Sequence, residues 1–268
     1  MDAKKKHKPT KVTKPYMKGA MTDNRVAGSA LKLFLGTLAM MVAYVMVGVM
    51  MSWDSKVLSI VVNSIILLSA WMIFHQTGAS AGADAVNQGE IMYARQEKGR
   101  PVEEWERRQC FHPFKGFLVG LLGCLPLVIC SVLLAVTAQR QMSSLGTLPA
   151  WLTPFEARPE IGGALAYYHE TGSMTLEAAM RFVVRMSVMP WVNMVGAKDK
   201  DAMLILERVT PLLNLIPGLV YGLGYMSGVE IRSTVHTSIA EGKRKARRKQ
   251  KKEQRRRQQT RRGPEQLN

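Results

Sequence analysis

Four apolar runs separated by polar connections dominate the pattern of this chain. They cover residues 33–51, 57–74, 117–138 and 209–226, each close to the roughly 20 residues with which a helix crosses a bilayer. Backbone groups in lipid must be hydrogen-bonded within the segment, so we predict four transmembrane helices. The pattern therefore indicates an all-α integral membrane protein, with a membrane domain over residues 26–228.

Two of these runs carry features that modify a simple helix. The residues after the second run are too rich in small side chains to form a core of their own, so we expect that helix to continue to about Glu97 before a turn at Gly99–Pro101. The fourth run contains Pro211 and Pro217, which lack a backbone donor. We therefore expect a kink or a local break in the fourth helix.

Residues 174–196 have a different, amphipathic pattern. Glu177, Arg181 and Arg185 share one face of a helix, and the other face is mainly apolar (Leu176, Met180, Val183, Val184, Ser187, Val188, Trp191, Val195). Such a helix either lies in the membrane interface, re-enters the bilayer, or crosses it as a fifth helix with its Arg side chains turned inward.

The charge at the two ends favours the first two alternatives. Residues 1–25 carry a net charge of +6 and residues 229–268 carry +10, out of +17 for the chain. Because Lys and Arg near membrane helices favour the cytoplasmic side, both ends should lie inside, which requires an even number of crossings. We therefore predict an outer amphipathic helix over 174–196, with 1–25 and 229–268 as basic cytoplasmic tails of a multi-pass plasma membrane protein.

The C-terminal tail has no apolar or aromatic residue beyond Ala246 over its most basic part, so it cannot bury surface. We expect both tails to be disordered, with at most a transient helix in the second. A salt-dependent contact with a polyanion is expected, either anionic lipid headgroups or a ribosome or other RNA-containing particle. The candidate contacts are Lys243, Arg244, Lys245, Arg247, Arg248, Lys249, Lys251, Lys252, Arg255, Arg256 and Arg257.

Polar residues within or beside the apolar runs are the other candidate sites. Asn63 and Asn214 fall at mid-run, where they either hydrogen-bond a neighbouring helix or line a polar path. Arg181 and Arg185 would bind an anion if their helix turns inward. Alternatively, Arg181 pairs with Glu177 and the helix contacts lipid phosphates.

Gly218, Gly222, Gly224 and Gly228 form two spacings of small residues at i and i+4 after Pro217. Such spacings allow helix backbones to approach closely. We expect them to serve packing within the chain or, alternatively, a homodimer contact of the same geometry.

No motif in the sequence indicates a catalytic, metal or cofactor site. We therefore expect a non-enzymatic membrane accessory or scaffold protein. Its apolar helices would bind other membrane proteins, and its basic tails would contact lipid or ribonucleoprotein. The alternative is a small transporter or channel subunit with a polar path near Asn63, Asn214 and the fourth helix.

Overall fold

The computed structural model describes residues 11–50, 55–138, 151–155, 158–161, 176–196 and 200–261. Within these ranges the chain is mainly helical and has no strand, which confirms the all-α prediction. A 3-10 turn covers Thr153–Phe155. The α-helices are α1 Val26–Met50, α2 Lys56–Glu97, α3 Glu104–Arg108, α4 Lys115–Thr137, α5 Leu176–Ser187, α6 Met189–Val195 and α7 Lys200–Arg261.

Four helices of the described ranges, α1, α2, α4 and α7, are long and apolar enough to cross a membrane, as predicted. Large apolar side chains remain exposed on them, for example Leu125, Val132 and Val136 of α4. A row of exposed apolar residues along a helix suits contact with lipid tails. The helix α2 continues to Glu97, also as predicted.

The helix α7 is longer than its apolar run, and it is not broken at its prolines. It runs from Lys200 to Arg261 through both Pro211 and Pro217, so the break is wrong, whereas the kink stays a prediction. Each proline removes one hydrogen bond, but apolar helices tolerate this loss when neighbours and side chains satisfy the freed groups.

The amphipathic segment forms two helices rather than the single predicted one. The helix α5 ends at Ser187, Val188 has non-helical backbone angles, and α6 begins at Met189. Pro190 accounts for the break, because a proline inside a longer helix would remove a hydrogen bond and clash with the preceding turn. Residues 174 and 175 lie outside the described ranges, and the interfacial location of the segment stays a prediction.

The C-terminal basic tail is helical through Arg261 in the structure, so the predicted disorder is not confirmed there, and the transient character of this helix stays a prediction. Disorder was expected because the segment cannot pack, and indeed the residues from Ser238 to Gln258 are exposed. A helix that is already formed, however, can be extended without a new nucleation step. Lys, Arg, Gln and Glu have good helix propensity, and no proline falls between Pro217 and Arg261.

The N-terminal tail is likewise ordered where it is described. Residues 11–22, which we call the N-terminal strap, are non-helical and include half-buried positions such as Tyr16 and Met17. The prediction of disorder is wrong here because the strap carries an aromatic residue and backbone donors that find partners, as described below. Residues 1–10 and 262–268 lie outside the described ranges.

The chain divides into two compact units. The first unit contains Met1–Val26, His75–Leu118 and Val220–Asn268, and the second contains Ala27–Phe74 and Val119–Leu219. In the first unit, Gly78 of α2 lies against Tyr221 of α7, and Gly82 lies against Tyr225. The residue numbers of the contacts increase together along the two helices, so these parts of α2 and α7 run parallel.

The start of α4 runs the opposite way in the same unit. Gly116 lies against Tyr225, whereas Phe117 lies against Gly222, so the contact positions in α7 fall as those in α4 rise. Within this unit, α4 is therefore antiparallel to α7.

In the second unit, α5 and α6 are held to the start of α7 by apolar contacts. Val188 and Val192 pack with Met203 and Leu206, all of them buried. Elsewhere in this unit the backbones of Gly120 and Gly218 touch, so no larger side chain fits there without a shift.

Candidate functional site

The basic part of α7, residues 243–257, is the most highly charged surface described. It contains eleven Lys or Arg residues and one acid, Glu253, which pairs with Arg257 at 3.1 Å. Every residue in it is exposed. Successive residues of an α-helix are about 100° apart, so cations that recur over this length surround the axis. We call this segment the basic helix.

A polar cluster fixes α7 to α2 shortly before the basic helix. The carboxylate of Glu90 accepts from Arg232 at 3.1 Å and lies 2.7 Å from Nε2 of His236. Arg232 also donates to Asn87 of α2. The side chains of His236 and Glu90 are only 7% and 9% exposed, which screens their contact from water and makes it a specific link between the two helices.

The N-terminal strap adds two further links to α7. Lys11 forms an ion pair with Glu230 at 2.6 Å, and the backbone nitrogen of Val12 donates to Thr237 at 3.0 Å. The hydrogen bond from Lys11 lowers the pKa of the exposed Glu230 carboxyl below its usual value. This contact is therefore present at neutral pH and is lost as the pH falls through that lowered pKa.

Further along, the strap covers α2 and the connection before α4. Its backbone nitrogens donate from Met17 to Gly89 at 3.1 Å and from Gly19 to Phe111 at 2.9 Å. Tyr16 meets the ring of Phe111 edge-on, and Phe111 stacks on Tyr225 with ring centroids 5.3 Å apart. The strap thus closes an aromatic core that includes α7.

A buried ion pair lies directly after the strap. Nζ of Lys115 is 2.8 Å from the carboxylate of Asp23 and also donates to the carbonyls of Arg108 and Cys110. Asp23 in turn accepts from the backbone nitrogen of Val26 at 2.8 Å, at the start of α1. Burial raises the pKa of the neighbouring Cys110 thiol, although the Lys115 charge opposes the rise.

Asn63, a predicted site residue, belongs to a polar cluster of the second unit. Its amide donates to the carbonyl of Ser59 at 2.8 Å, and its oxygen accepts from Asn193 at 3.5 Å. The hydroxyl of Ser59 donates to the carbonyl of Asn193 at 3.1 Å. Asn63 is thus placed in a link between α2 and α6.

Asn214 is placed beside α5. Its oxygen accepts from the hydroxyl of Ser187 at 3.0 Å, but its buried amide nitrogen has no hydrogen-bond partner among the described residues. Asn214 lines a cavity of about 40 Å³ whose other walls include Thr37, Tyr44 and Trp71. A cavity of this volume has room for a water molecule but not for a larger solute.

Arg181 and Arg185, the predicted cationic pair, converge on Glu207 of α7. The Glu207 carboxylate lies 3.2 Å from Arg181 and 2.7 Å from Arg185, and Arg181 also pairs with Glu177 at 3.1 Å. Glu207 is only 3% exposed. Both Arg side chains also border an open groove of about 270 Å³ with apolar walls that include Val45 and Phe182.

The four predicted packing glycines all lie against other parts of the chain. Gly218 meets Gly120, and Gly222 meets the ring of Phe117. Gly224 meets the backbone at His75, and Gly228 meets that of Gly82 and Ala83. The close approaches that these glycines allow are therefore used within the chain.

Several residues of these clusters were not among the predicted sites. Glu207 lies just before the fourth apolar run, and Glu90 and Arg232 lie on extensions of apolar runs. Their position beyond the runs made them resemble ordinary surface charges. The sequence feature that could have identified them is the helical pattern of α2 beyond its apolar run, because polar residues on such an extension need a partner.

Comparison with known proteins finds no family model, curated protein or solved structure that matches this chain.

Proposed function

We propose that this protein is a non-enzymatic accessory or scaffold protein of the plasma membrane. Its four apolar helices cross the bilayer, both of its ends lie in the cytoplasm, and its basic helix holds a polyanionic partner. One observation carries this proposal: the basic helix is the exposed end of the same helix, α7, whose apolar part is able to cross the membrane. A partner bound there is attached to the membrane by a continuous helix.

The direction of the helices supports four crossings rather than five. With a fifth crossing between α4 and α7, these two helices would point the same way. They are antiparallel where they meet in the first unit, and α2 and α7 are parallel. Both of these relative helix directions are expected when α5 and α6 do not cross the membrane. This topology agrees with the charge of the two tails.

The partner of the basic helix is a polyanion, such as anionic lipid headgroups or a ribonucleoprotein. Eleven cations, with Ala246 as the one apolar residue and no aromatic residue among them, provide charge attraction but no side chain that would stack on a base. Such a contact weakens steeply with salt.

Removal of the basic helix tests the proposed tether. A chain ending at Gly242 should lose salt-sensitive co-sedimentation with ribosomes and with anionic vesicles, measured in detergent-free nanodiscs. A chain ending at Gln258, which keeps all eleven cations, is the matched control and should bind as the full chain does. Equal binding by both truncated chains would contradict the tether.

A transporter or channel subunit is the second candidate. The buried Glu207 with its two Arg partners and the unpartnered amide nitrogen of Asn214 favour it, because buried polar groups in apolar helices often mark solute paths. For a path, Asn214→Leu in a folded protein should reduce flux in reconstituted vesicles. For a purely structural role, the variant should change thermal stability alone.

A further inference from the structure

We propose that the partner of the basic helix is a nucleic acid, bound through its phosphate backbone without base recognition, and that this helix stands clear of the protein's own lipid surface. This inference rests on the proposed function, since it takes α7 as a membrane-crossing helix. It selects one partner from the two classes of polyanion that the sequence leaves open.

The length of α7 provides the first argument. Its apolar run ends near Met226, and the basic helix begins 17 residues later at Lys243. At about 1.5 Å per residue, this places Lys243 roughly 25 Å along the axis and Arg257 roughly 46 Å. Electrostatic attraction to a bilayer decays over a Debye length of about 8–10 Å at physiological salt. An upright α7 therefore carries its cations beyond the range of its own membrane.

Contacts in the first unit hold this part of α7 in place. The link from Glu90 to Arg232 and His236 joins α7 to a parallel α2, and the strap adds the contact of Val12 with Thr237. No proline follows Pro217 within α7. The segment before the basic helix is therefore a braced pair of helices, rather than a flexible linker that could fold back onto lipid.

The distribution of charge provides the second argument. Helices that bind along a membrane surface present an apolar face to it, and the basic helix has none, because Ala246 is its only apolar residue. Its cations form three strips around the axis. One contains Arg244, Arg248, Lys251 and Arg255, the next contains Lys245, Lys249, Lys252 and Arg256, and the third contains Lys243, Arg247 and Arg257. A flat bilayer would meet about one strip, whereas a nucleic-acid groove surrounds a helix on several sides.

The charge density also matches a nucleic acid. The basic helix has a net charge of +10 over 15 residues, or about one positive charge per 2 Å of axis. A nucleic-acid duplex such as B-DNA carries about one negative charge per 1.7 Å. Repulsion between cations at i and i+4 disfavours this helix in isolation, and phosphates on several sides would relieve that repulsion.

The test uses the full chain in nanodiscs of neutral phosphatidylcholine, with fluorescence anisotropy of labelled 20-base-pair RNA and DNA duplexes. Between 50 and 200 mM salt, about six phosphate contacts should lower the affinity by roughly 10³-fold. Similar affinities for RNA and DNA are expected from contacts with phosphates alone. A clear preference for one of them would show that contacts other than those with phosphates contribute, and would overturn binding through the phosphate backbone alone.

Two variants with the same change in net charge separate the basic helix from the overall charge of the protein. Lys245→Gln, Lys249→Gln and Lys252→Gln together should reduce the slope of log affinity against log salt by about three. The control combines Lys98→Gln, Arg100→Gln and Arg107→Gln, three exposed cations outside the basic helix, and should leave the slope unchanged. Equal effects of the two variants would overturn the assignment.

Nanodiscs of anionic phosphatidylglycerol distinguish nucleic acid from lipid. With the basic helix clear of the surface, duplex affinity should stay within about threefold of its value in neutral discs. Loss of duplex binding in anionic discs would show that the helix lies on lipid and would overturn this inference, while leaving the proposed membrane tether intact. Failure of the full chain to bind either duplexes or anionic vesicles would overturn both.

Discussion

Gly19 shows how a single residue holds the N-terminal strap on the first unit. Its nitrogen donates to the carbonyl of Phe111, and a Cβ at this position would clash with the carbonyl oxygen of Cys110. Only a residue without a side chain brings the strap this close. The strap therefore depends on a glycine that composition alone did not distinguish from the other 21.

We predict that Gly19→Ala releases the strap locally. Overpacking of this kind costs about 1–3 kcal/mol. In a protein with Cys124 and Cys130 replaced by Ala, alkylation of Cys110 should then accelerate roughly tenfold or more. Burial raises the pKa of this thiol, so its reaction at neutral pH is slow while the strap is closed.

Gly36→Ala in α1 is the control for this substitution, because a Cβ there meets no atom within 4 Å. It should leave the alkylation rate of Cys110 unchanged. An equal rate for Gly19→Ala and the unsubstituted chain would show that the strap does not protect Cys110.

The sequence identified Asn63 and Asn214 as polar residues within apolar runs, but it did not identify their partners. Ser59 could be placed near Asn63 because it is one helical turn away. Asn193 and Ser187 lie on other helices, and their contacts depend on the rotation of each helix about its own axis. That rotation is set by packing, so a single sequence does not specify it.

At the scale of elements, α5 depends on α7 for its counter-charge. Arg181 and Arg185 share the carboxylate of Glu207, which is buried on α7. The amphipathic pattern predicted a helix and its Glu177 pair, but not this buried acid, which lies 22 residues beyond Arg185 in sequence. The helical period thus predicts a helix and its faces, whereas a contact with a distant helix requires the packed structure.

We predict that Glu207→Gln destabilises the second unit substantially. Removal of one partner from a buried ion pair leaves the other charges uncompensated and costs about 3–5 kcal/mol. The midpoint of thermal unfolding in detergent should fall by several degrees. Glu177→Gln removes a half-exposed acid from the same cluster and should change the midpoint little. Similar shifts for the two variants would indicate that burial of Glu207 is unimportant.

The helical C-terminal tail and the differing effects of the prolines share a physical cause: surrounding structure determines whether a helix continues. Composition predicted correctly that residues 243–257 would not pack, yet a helix that begins in an apolar run can continue through residues of high helix propensity. By contrast, Pro190 divides the amphipathic segment, although Pro211 and Pro217 do not divide α7. A sequence shows where a proline weakens a helix, but the surrounding contacts determine whether the helix continues.

For the whole molecule, the number of helices able to cross a membrane follows from apolar run length, and the structure agrees on four among the described residues. The proposed orientation follows from the charge of the two tails. The directions of α2, α4 and α7 supply independent support, because they come from packed contacts rather than charge. Together they favour a protein whose basic helix projects into the cytoplasm.

Labelling of single cysteines in intact cells tests this account most directly. Cys110, Cys124 and Cys130 are replaced by Ala, and a cysteine is introduced at Ser55 or at the exposed Ser238. With a membrane-impermeant maleimide, Ser55→Cys should be labelled from outside, and Ser238→Cys should be labelled only after the cells are permeabilised. Labelling of Ser238→Cys in intact cells would contradict the four-crossing topology and the cytoplasmic location of the basic helix.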